Sequence, residues 1–396
     1  MSANSVDLAR HYSRFRVAER LLLTGHSHQA WPDVAFDAQQ RAWLDAAALV
    51  DDKWEQAFEQ ANLVRAGFKR LLNDDDGDIA LGQNTHELVT RLLSALPLRT
   101  RPRLVTSDGE FHSVRRQLDR LHEEGLDVVK IAARPAETLA IRLGRVVDDK
   151  TAAVLVSSVL YETAEIVPGL DSIASACARH GATLLVDAYH HLNVVPFDVE
   201  ASGLAQAFIT GGGYKYCQLG EGNSFLRIPA GCRLRPVLTG WFAEFAARQQ
   251  TAGARGVEYG AGSARFAGAT YDPTSHYRAA AVFAFHVDQG LTPERLRAIS
   301  RHQVGLLKSA FESLDVDPTW ARVEPMADDR RGGFLAIRTP HAVDVAQRLR
   351  AHGVLVDARG DILRLGPAPY LSDDQLRESI RLLGETRTRI GRGGAG

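Results

Sequence analysis

Short apolar runs alternate with stretches of helical period through the first two thirds of the chain, and the pattern then changes. Asp78–Leu81, Arg103–Thr106, Asp127–Ile131, Ala152–Ser157, Ala182–Asp187 and Gln206–Thr210 read as strands. Several are apolar almost throughout, as strands covered on both faces must be. Thr85–Leu96, Ser113–Glu124 and Leu170–His180 carry the helical period, the last with Gly181 as its stop. Strands separated by helices predict a parallel sheet with helical crossovers. Residues 33–73 are Ala-rich, polar and helical in period. Beyond about residue 275 come a long helix, Ser275–Gln289, and two isolated strands, Phe334–Arg338 and Ile362–Leu365. That change predicts a large domain over 46–274 and a small one over 275–396, with 1–45 joining the small one; the Gly-rich end from Gly391 reads as a frayed tail.

Composition narrows the class without naming it. A chain of 396 residues exceeds a single compact core, so two domains are expected. A net charge of -1 with 24% charged residues gives no basic field for nucleic acid or an anionic membrane surface. There is no run of the length a spanning helix needs and no leader-like start, which makes the cytoplasm the expected location. Cys177, Cys217 and Cys232 have neither a disulfide framework nor metal-ligand spacing, so no metal is expected.

The chemistry sits where two strands end. Ala182-Thr-Leu-Leu-Val-Asp187 places a carboxylate at the mouth of a buried strand, where an anion requires a cationic partner. A protonated pyridine nitrogen is one. The next strand runs into Gly211-Gly-Gly-Tyr214-Lys215, which presents a lysine at the same sheet edge, and a desolvated lysine there can form a Schiff base with an aldehyde cofactor. Either residue alone would read as an ordinary strand-end Asp or loop Lys. Together they read as a pyridoxal phosphate site. Asn84 and Thr85 lie between a strand and a helix, at a helix N-terminus suited to a phosphate or simply to capping. Phe111 follows the next strand as an aromatic that can stack on a ring, and Ser157, Tyr161 and Thr163 offer hydroxyls at another strand end.

These residues resemble the class V aminotransferase group of fold type I pyridoxal phosphate enzymes, and within it kynureninase. The resemblance spans Gly25-His-Ser27 to Arg364 and is densest in the middle third. Asp187-x-x-His190, Tyr214-Lys215-Tyr216, Gly240-Trp241-Phe242, Glu110-Phe111 and Arg364-Leu-Gly-Pro-Ala-Pro-Tyr370 carry it. It implies a mainly parallel seven-stranded sheet in the large domain, a smaller α+β C-terminal domain, and a homodimer with the site at its interface. It assigns Lys215 as the Schiff-base lysine and proton shuttle and Asp187 as the partner of the ring nitrogen. Tyr214, Thr85, His190 and Trp241 fall around phosphate and ring, and Arg364 falls on the substrate carboxylate. The implied partner is a small-molecule substrate, an L-amino acid, and the implied reaction is hydrolytic Cβ–Cγ cleavage to alanine and an aryl acid. A carbon–sulfur or other β-lyase, an epimerase and an aminotransferase stay open, as does, more remotely, an inert regulatory protein that keeps the fold.

Three departures fall where substrate is chosen. Phe111-His-Ser-Val114 lacks the Asp expected near the stacking Phe; Gly25-His26-Ser27-His28-Gln29 stands in place of a Gly-Asn-Ser-Leu-Gly segment, with His26, Ser27 and His28 as candidates for substrate contact; and Gly268-Ala-Thr270 stands in a loop closer to the Gly-Thr-Pro turn of class V, with Thr270 as a cofactor contact. Val114 and the two histidines are therefore expected to reshape the acceptor pocket. Desulfurases use a cysteine on a small-domain loop, and all three cysteines precede residue 233.

Overall fold

The computed structural model describes residues 8–247 and 256–393. Its centre is a seven-stranded sheet in the order Asp78–Gly82, Ser224–Ile228, Phe208–Gly212, Thr183–Asp187, Thr151–Ser157, Arg103–Ser107, Asp127–Ile131. Five neighbouring strands, from Phe208–Gly212 to Asp127–Ile131, pair in parallel. Ser224–Ile228 pairs antiparallel with the strand on each side. The expected strand and helix positions agree to within two residues, but nothing in the local pattern had marked Ser224–Ile228. Its reversed direction brings Ser224, its first residue, to the edge where the parallel strands end.

Apolar clusters cover both faces of this sheet. Val154, Val156, Val186 and Ile209 pack on one side with Phe68, Phe225 and Phe283, while Leu104, Leu155 and Leu185 pack on the other with Leu88, Leu118 and Phe266. That two-sided burial is why these strands read as continuous apolar runs. Residues 33–73 form two helices, Val34–Leu49 and Lys53–Leu72. The Leu170–His180 helix ends on Gly181 at φ 61, a conformation in which a side chain is strained.

Two of the three glycines before Lys215 are strand rather than turn. Gly211 and Gly212 complete Phe208–Gly212, and a Cβ on Gly212 would lie 2.1 Å from the Tyr189 hydroxyl. Glycine is needed there because an aromatic ring crosses the backbone, which fixes the path of the chain into Lys215.

A second sheet carries Asp357–Arg359, Ile362–Leu365, Leu335–Arg338 and Arg322–Val323, all antiparallel. Its core holds Leu335, Leu363 and Leu365 together with Leu8, Tyr12, Leu22 and Leu23 from the start of the chain. Leu21–Leu22 pairs in parallel with Val354–Leu355, and Thr24 bridges to Gly366. The N-terminal segment is thereby held beside Arg364. Helices Pro293–Glu312 and Asp373–Gly393 pack together; the former starts on a Thr292 cap with proline in its first turn. The C-terminal helix reaches Gly393, two residues past the point at which fraying was expected to begin, and residues 394–396 lie outside the described part. No helix among the described residues is long and apolar enough to cross a membrane.

Candidate active site

The carboxyl ends of the parallel strands open into a cavity of ≈ 490 Å³. Asp187, Ser157 and Phe111 reach it from three of those strand ends, Lys215 and Tyr214 from the segment after Gly212, and Asn84, Thr85 and His86 from the start of the Thr85–Ala95 helix. Convergence at this edge follows from the topology, because every parallel strand delivers its last residue and its loop to the same side.

Lys215 is the centre of the cavity's electrostatics. Its Nζ lies 2.8 Å from His190 Nε2, 4.6 Å from the centre of the Tyr189 ring and 5.0 Å from that of Phe111. Burial pushes the ammonium down to about 7; Asp187 opposes that shift and Arg364 adds to it. Near neutral pH a large share of Lys215 is therefore the nucleophilic free amine. Burial also holds His190 neutral, well below the usual histidine range, and the charge of Lys215 reinforces this. Asp187 is buried and raised by that burial, with the Tyr189 N–H, 2.9 Å from Oδ1, opposing the rise. Beyond that N–H and the field of Lys215, no cation hydrogen-bonds to Asp187 among the described residues.

The other end of the cavity is lined by polar groups. Asn84 caps the Thr85–Ala95 helix by accepting the Glu87 N–H at 2.9 Å, which leaves the backbone amides at that terminus as donors. Thr85 Oγ1 lies 3.4 Å from Ser224 Oγ. Ser224 is opposite both Gly82 and Gly212 in the sheet register, a placement that no local signal announces. Tyr161, one of the expected hydroxyl residues, also lines the cavity, as do Tyr189, Ser113, Glu221 and Gly222; Tyr189 was legible only as part of a motif, and the last three carry no signal of their own.

The remaining expected site residues separate into two groups. His28 stacks on Tyr214 at 4.9 Å, 3.0 Å from the Ser27 hydroxyl and 3.7 Å from Glu221, which places Ser27 and His28 beside the lining. His26, Arg364, Thr163, Trp241 and Thr270 do not line the cavity. His26 is fully buried with Nε2 2.8 Å from Asp357 Oδ1, so that nitrogen carries the proton. Arg364 turns two nitrogens onto Asp357, Nε at 2.9 Å and Nη2, while Nη1 donates to the Tyr161 carbonyl at 2.6 Å. Thr163 is buried and accepts the Glu165 N–H at 3.4 Å. Trp241 Nε1 donates to Thr270 Oγ1 at 3.2 Å, and the two stand beside a second hollow of ≈ 300 Å³ lined by Phe58, Phe242, Gly268 and Tyr271. The expectation for Val114 is corrected. Its side chain is 2% exposed and belongs to the apolar cluster of Leu88 and Leu118, so an Asp there would be a buried, unpaired carboxylate rather than a pocket wall.

Pyridoxal phosphate fits these residues. Among the described residues, Asp187 lacks a bonded cation where a protonated ring nitrogen would supply one, and the buried His190 Nδ1 has no hydrogen-bond partner. Two such groups in one cavity are costly unless a bound molecule satisfies them.

The molecule's relatives agree. Residues 296–383 match the family model of the kynureninase C-terminal domain. Kynureninase of Deinococcus radiodurans is 26% identical over 351 residues, covering 86% of this chain and 80% of that protein. Kynureninase of Bacillus cereus is 24% identical over 325 residues, covering 76% and 71%. The uncharacterized aminotransferase YcbU of Bacillus subtilis is 23% identical over 344 residues, covering 85% and 87%. Among solved structures, the cysteine desulfurase of Thermococcus onnurineus superposes with a TM-score of 0.78 at 16% identity, covering 96% of this chain and 97% of that one. The cystine C–S lyase C-DES, in complex with its product cysteine persulfide, gives 0.77 at 16%, covering 93% and 98%. The fold is that of the type I pyridoxal phosphate-dependent enzymes. Within it the chain is kynureninase-like, and pyridoxal 5′-phosphate is the cofactor indicated. Both solved neighbours act on sulfur amino acids by name, yet at this identity they establish architecture alone.

Proposed function

We propose that the protein is an enzyme acting on an L-amino acid with pyridoxal 5′-phosphate, and that its reaction is the kynureninase-type hydrolysis of a Cβ–Cγ bond to alanine and an aryl acid. The observation that carries the first part is the placing of a half-neutralised Lys215 and an uncompensated Asp187 in one cavity. The second part rests on the match of residues 296–383 and on Phe111 at the ring-stacking position.

When bound, the cofactor supplies an electron-accepting ring that stabilises negative charge at the amino acid's α-carbon. Each protein group then has a defined task. Lys215 would hold the cofactor's aldehyde carbon and would move the α-proton. Its lowered pKa suits both tasks near neutral pH. His190, held neutral at 2.8 Å, accepts from or donates to Lys215 Nζ without adding charge. Asp187 keeps the ring nitrogen protonated. Thr85, Ser224 and the helix amides hold the phosphate, with Asn84 fixing that terminus by its cap. Tyr214 packs its ring 5.1 Å from Tyr189 and limits motion beside Lys215. Trp241 and Thr270, joined to each other, belong to a face a second copy would meet; a homodimer is the arrangement this reading takes from the family.

An aminotransferase is the second reading, favoured by the likeness to YcbU over 85% of this chain. A persulfide-forming desulfurase has no support. Cys177 and Cys217 are buried with their thiols pushed up to about 12 by desolvation, Cys232 is raised as well, and none stands in the cavity.

The deciding experiment incubates the cofactor-loaded protein with L-kynurenine and quantifies anthranilate and alanine by mass spectrometry, with Lys215→Ala as the blank. Equal amounts of both over many turnovers would establish the hydrolase. A spectral change without anthranilate would sink that reaction while keeping the cofactor, and amino-group transfer to a 2-oxo acid would then be assayed.

A further inference from the structure

Tyr189 touches both ends of the path that the cofactor ring must take, although the Asp187-x-x-His190 pattern leaves it as an unspecified position. Its backbone N–H donates to Asp187 Oδ1 at 2.9 Å, and its ring centre lies 4.6 Å from Lys215 Nζ. Pyridoxal carries its aldehyde and its ring nitrogen on opposite corners of one six-membered ring. A ring bonded to Lys215 at one corner and paired with Asp187 at the other must therefore run alongside residue 189. Phe111 has its ring centre 5.0 Å from the same Nζ, and both aromatics line the cavity. The ring neighbours of Phe111 are His112 and Tyr161, and that of Tyr189 is Tyr214, so Nζ stands between two rings that are not stacked on each other.

The far end of the Tyr189 side chain is built into the sheet. A Cβ on Gly212 would lie 2.1 Å from its hydroxyl and 2.5 Å from the ring carbon that bears it, so the strand keeps a glycine where the phenol crosses. The hydroxyl has those of Ser224 and Tyr214 as hydrogen-bond partners, and burial keeps it protonated by raising it well above the usual tyrosine value. A phenol laid over a strand and bonded at its tip is held beside Lys215 before any ligand arrives. A surface fixed in advance binds without the cost of ordering it.

We propose that Tyr189 is a cofactor-binding residue, whose ring, tethered over Gly212, forms with Phe111 a slot for the flat pyridine ring. This rests on the pyridoxal phosphate reading above and adds a residue to it. Two aromatic side chains then set the affinity for the ring and its orientation, while the phosphate is held separately at the Thr85 end.

The test uses the full chain and two probes, both titrated by calorimetry: pyridoxine 5′-phosphate, which has ring and phosphate but no aldehyde to bond Lys215, and inorganic phosphate, which has no ring. Tyr189→Ala should weaken pyridoxine 5′-phosphate by roughly 3- to 10-fold, the loss of one aromatic partner, and leave inorganic phosphate unchanged. Tyr189→Phe keeps the ring and should bring pyridoxine 5′-phosphate back to wild-type affinity, which guards against a misfolded alanine variant. In the same variant, loaded with pyridoxal phosphate, the circular dichroism of the visible band should change because the tether is gone. Gly212→Ala, which pushes on the hydroxyl, should weaken pyridoxine 5′-phosphate in the wild type and cost nothing further in Tyr189→Ala. Equal losses for both probes in Tyr189→Ala overturn the proposal, and so do losses from Gly212→Ala and Tyr189→Ala that add in full. If Tyr189→Ala binds pyridoxine 5′-phosphate as the wild type does, the slot falls and the cofactor reading stands. If the wild type binds inorganic phosphate but not pyridoxine 5′-phosphate, and develops no visible band with pyridoxal phosphate, the cofactor reading falls and the slot falls with it.

Discussion

Two buried charged clusters sit a few residues from each other in space and have opposite designs. Around Lys215, a cation, an anion and a histidine are desolvated and left short of partners, so burial drives Lys215 down to about 7 and Asp187 up. Around Arg364, the guanidinium and the His26 imidazole are buried as well, but both hydrogen-bond to the part-buried Asp357 carboxylate. An incomplete set of partners is the mark of a site awaiting a ligand; a complete one is the mark of structure. Among the described residues, two buried atoms of the second cluster make no hydrogen bond, His26 Nδ1 and Arg359 Nε.

Breaking the open cluster should cost activity above all. Lys215→Ala removes both the cofactor anchor and the proton shuttle, and turnover should fall by at least about 1,000-fold while the melting temperature stays level or rises, as a desolvated lysine is relieved. A variant retaining a tenth of the activity would remove Lys215 from the chemistry.

Breaking the closed cluster should cost stability. Asp357→Ala leaves Arg364 buried and unpaired, and the expected loss is about 3–5 kcal/mol by denaturant unfolding. A loss below about 1 kcal/mol would show that Arg364 reaches water or a second carboxylate.

A smaller effect comes with pH. Lys215's amine is neutral above its folded pKa of about 7, so capture of added pyridoxal phosphate by the apo protein should quicken about tenfold per unit as pH rises below that value and level off above it. An inflection near 10 in the visible-absorbance time course would mean that Lys215 is hydrated. The same group gives a linkage sign. A lysine with a depressed folded pKa disfavours folding where the unfolded chain would be protonated, so its penalty builds as pH falls from the unfolded value toward about 7 and is full below that.

The smallest effect concerns Glu110, buried beneath the cavity between Ser107 and Ser157 with each hydroxyl 2.6 Å away. Burial raises its carboxyl to about 7, so its stability contribution is full below the unfolded value and is lost as pH rises through about 7. Glu110→Gln, uncharged throughout, should gain on the wild type between pH 6 and pH 8 by roughly 2 °C in melting temperature. An unchanged gap would place the carboxyl's titration outside that window.

Much of the open cluster was legible in the chain itself, because its signals are local. An apolar run ending in Asp187 is strand chemistry, and glycines ahead of Lys215 are backbone chemistry; both survive in six or seven residues. The closed cluster was not legible. His26, Asp357 and Arg364 come from segments more than three hundred positions apart, and neither Asp357 nor Arg359 carries a mark in sequence. Val114 was misplaced for a related reason: one step along a helix start decides between cavity and core, and Ser113 takes the first while Val114 takes the second.

The sequence by itself determined the alternation of strand and helix, the residues that end at the sheet's carboxyl edge and the lysine–aspartate pair, since periodicity and strand-end chemistry depend on near neighbours. Only the tertiary structure decided that Ser224 arrives from a reversed strand, that the N-terminal segment locks against Gly366, and that Arg364 is spent on Asp357. Those outcomes depend on register between distant segments, and whether a buried charge is open or closed is fixed by what else is brought within 3 Å of it, a quantity that no local stretch of sequence contains.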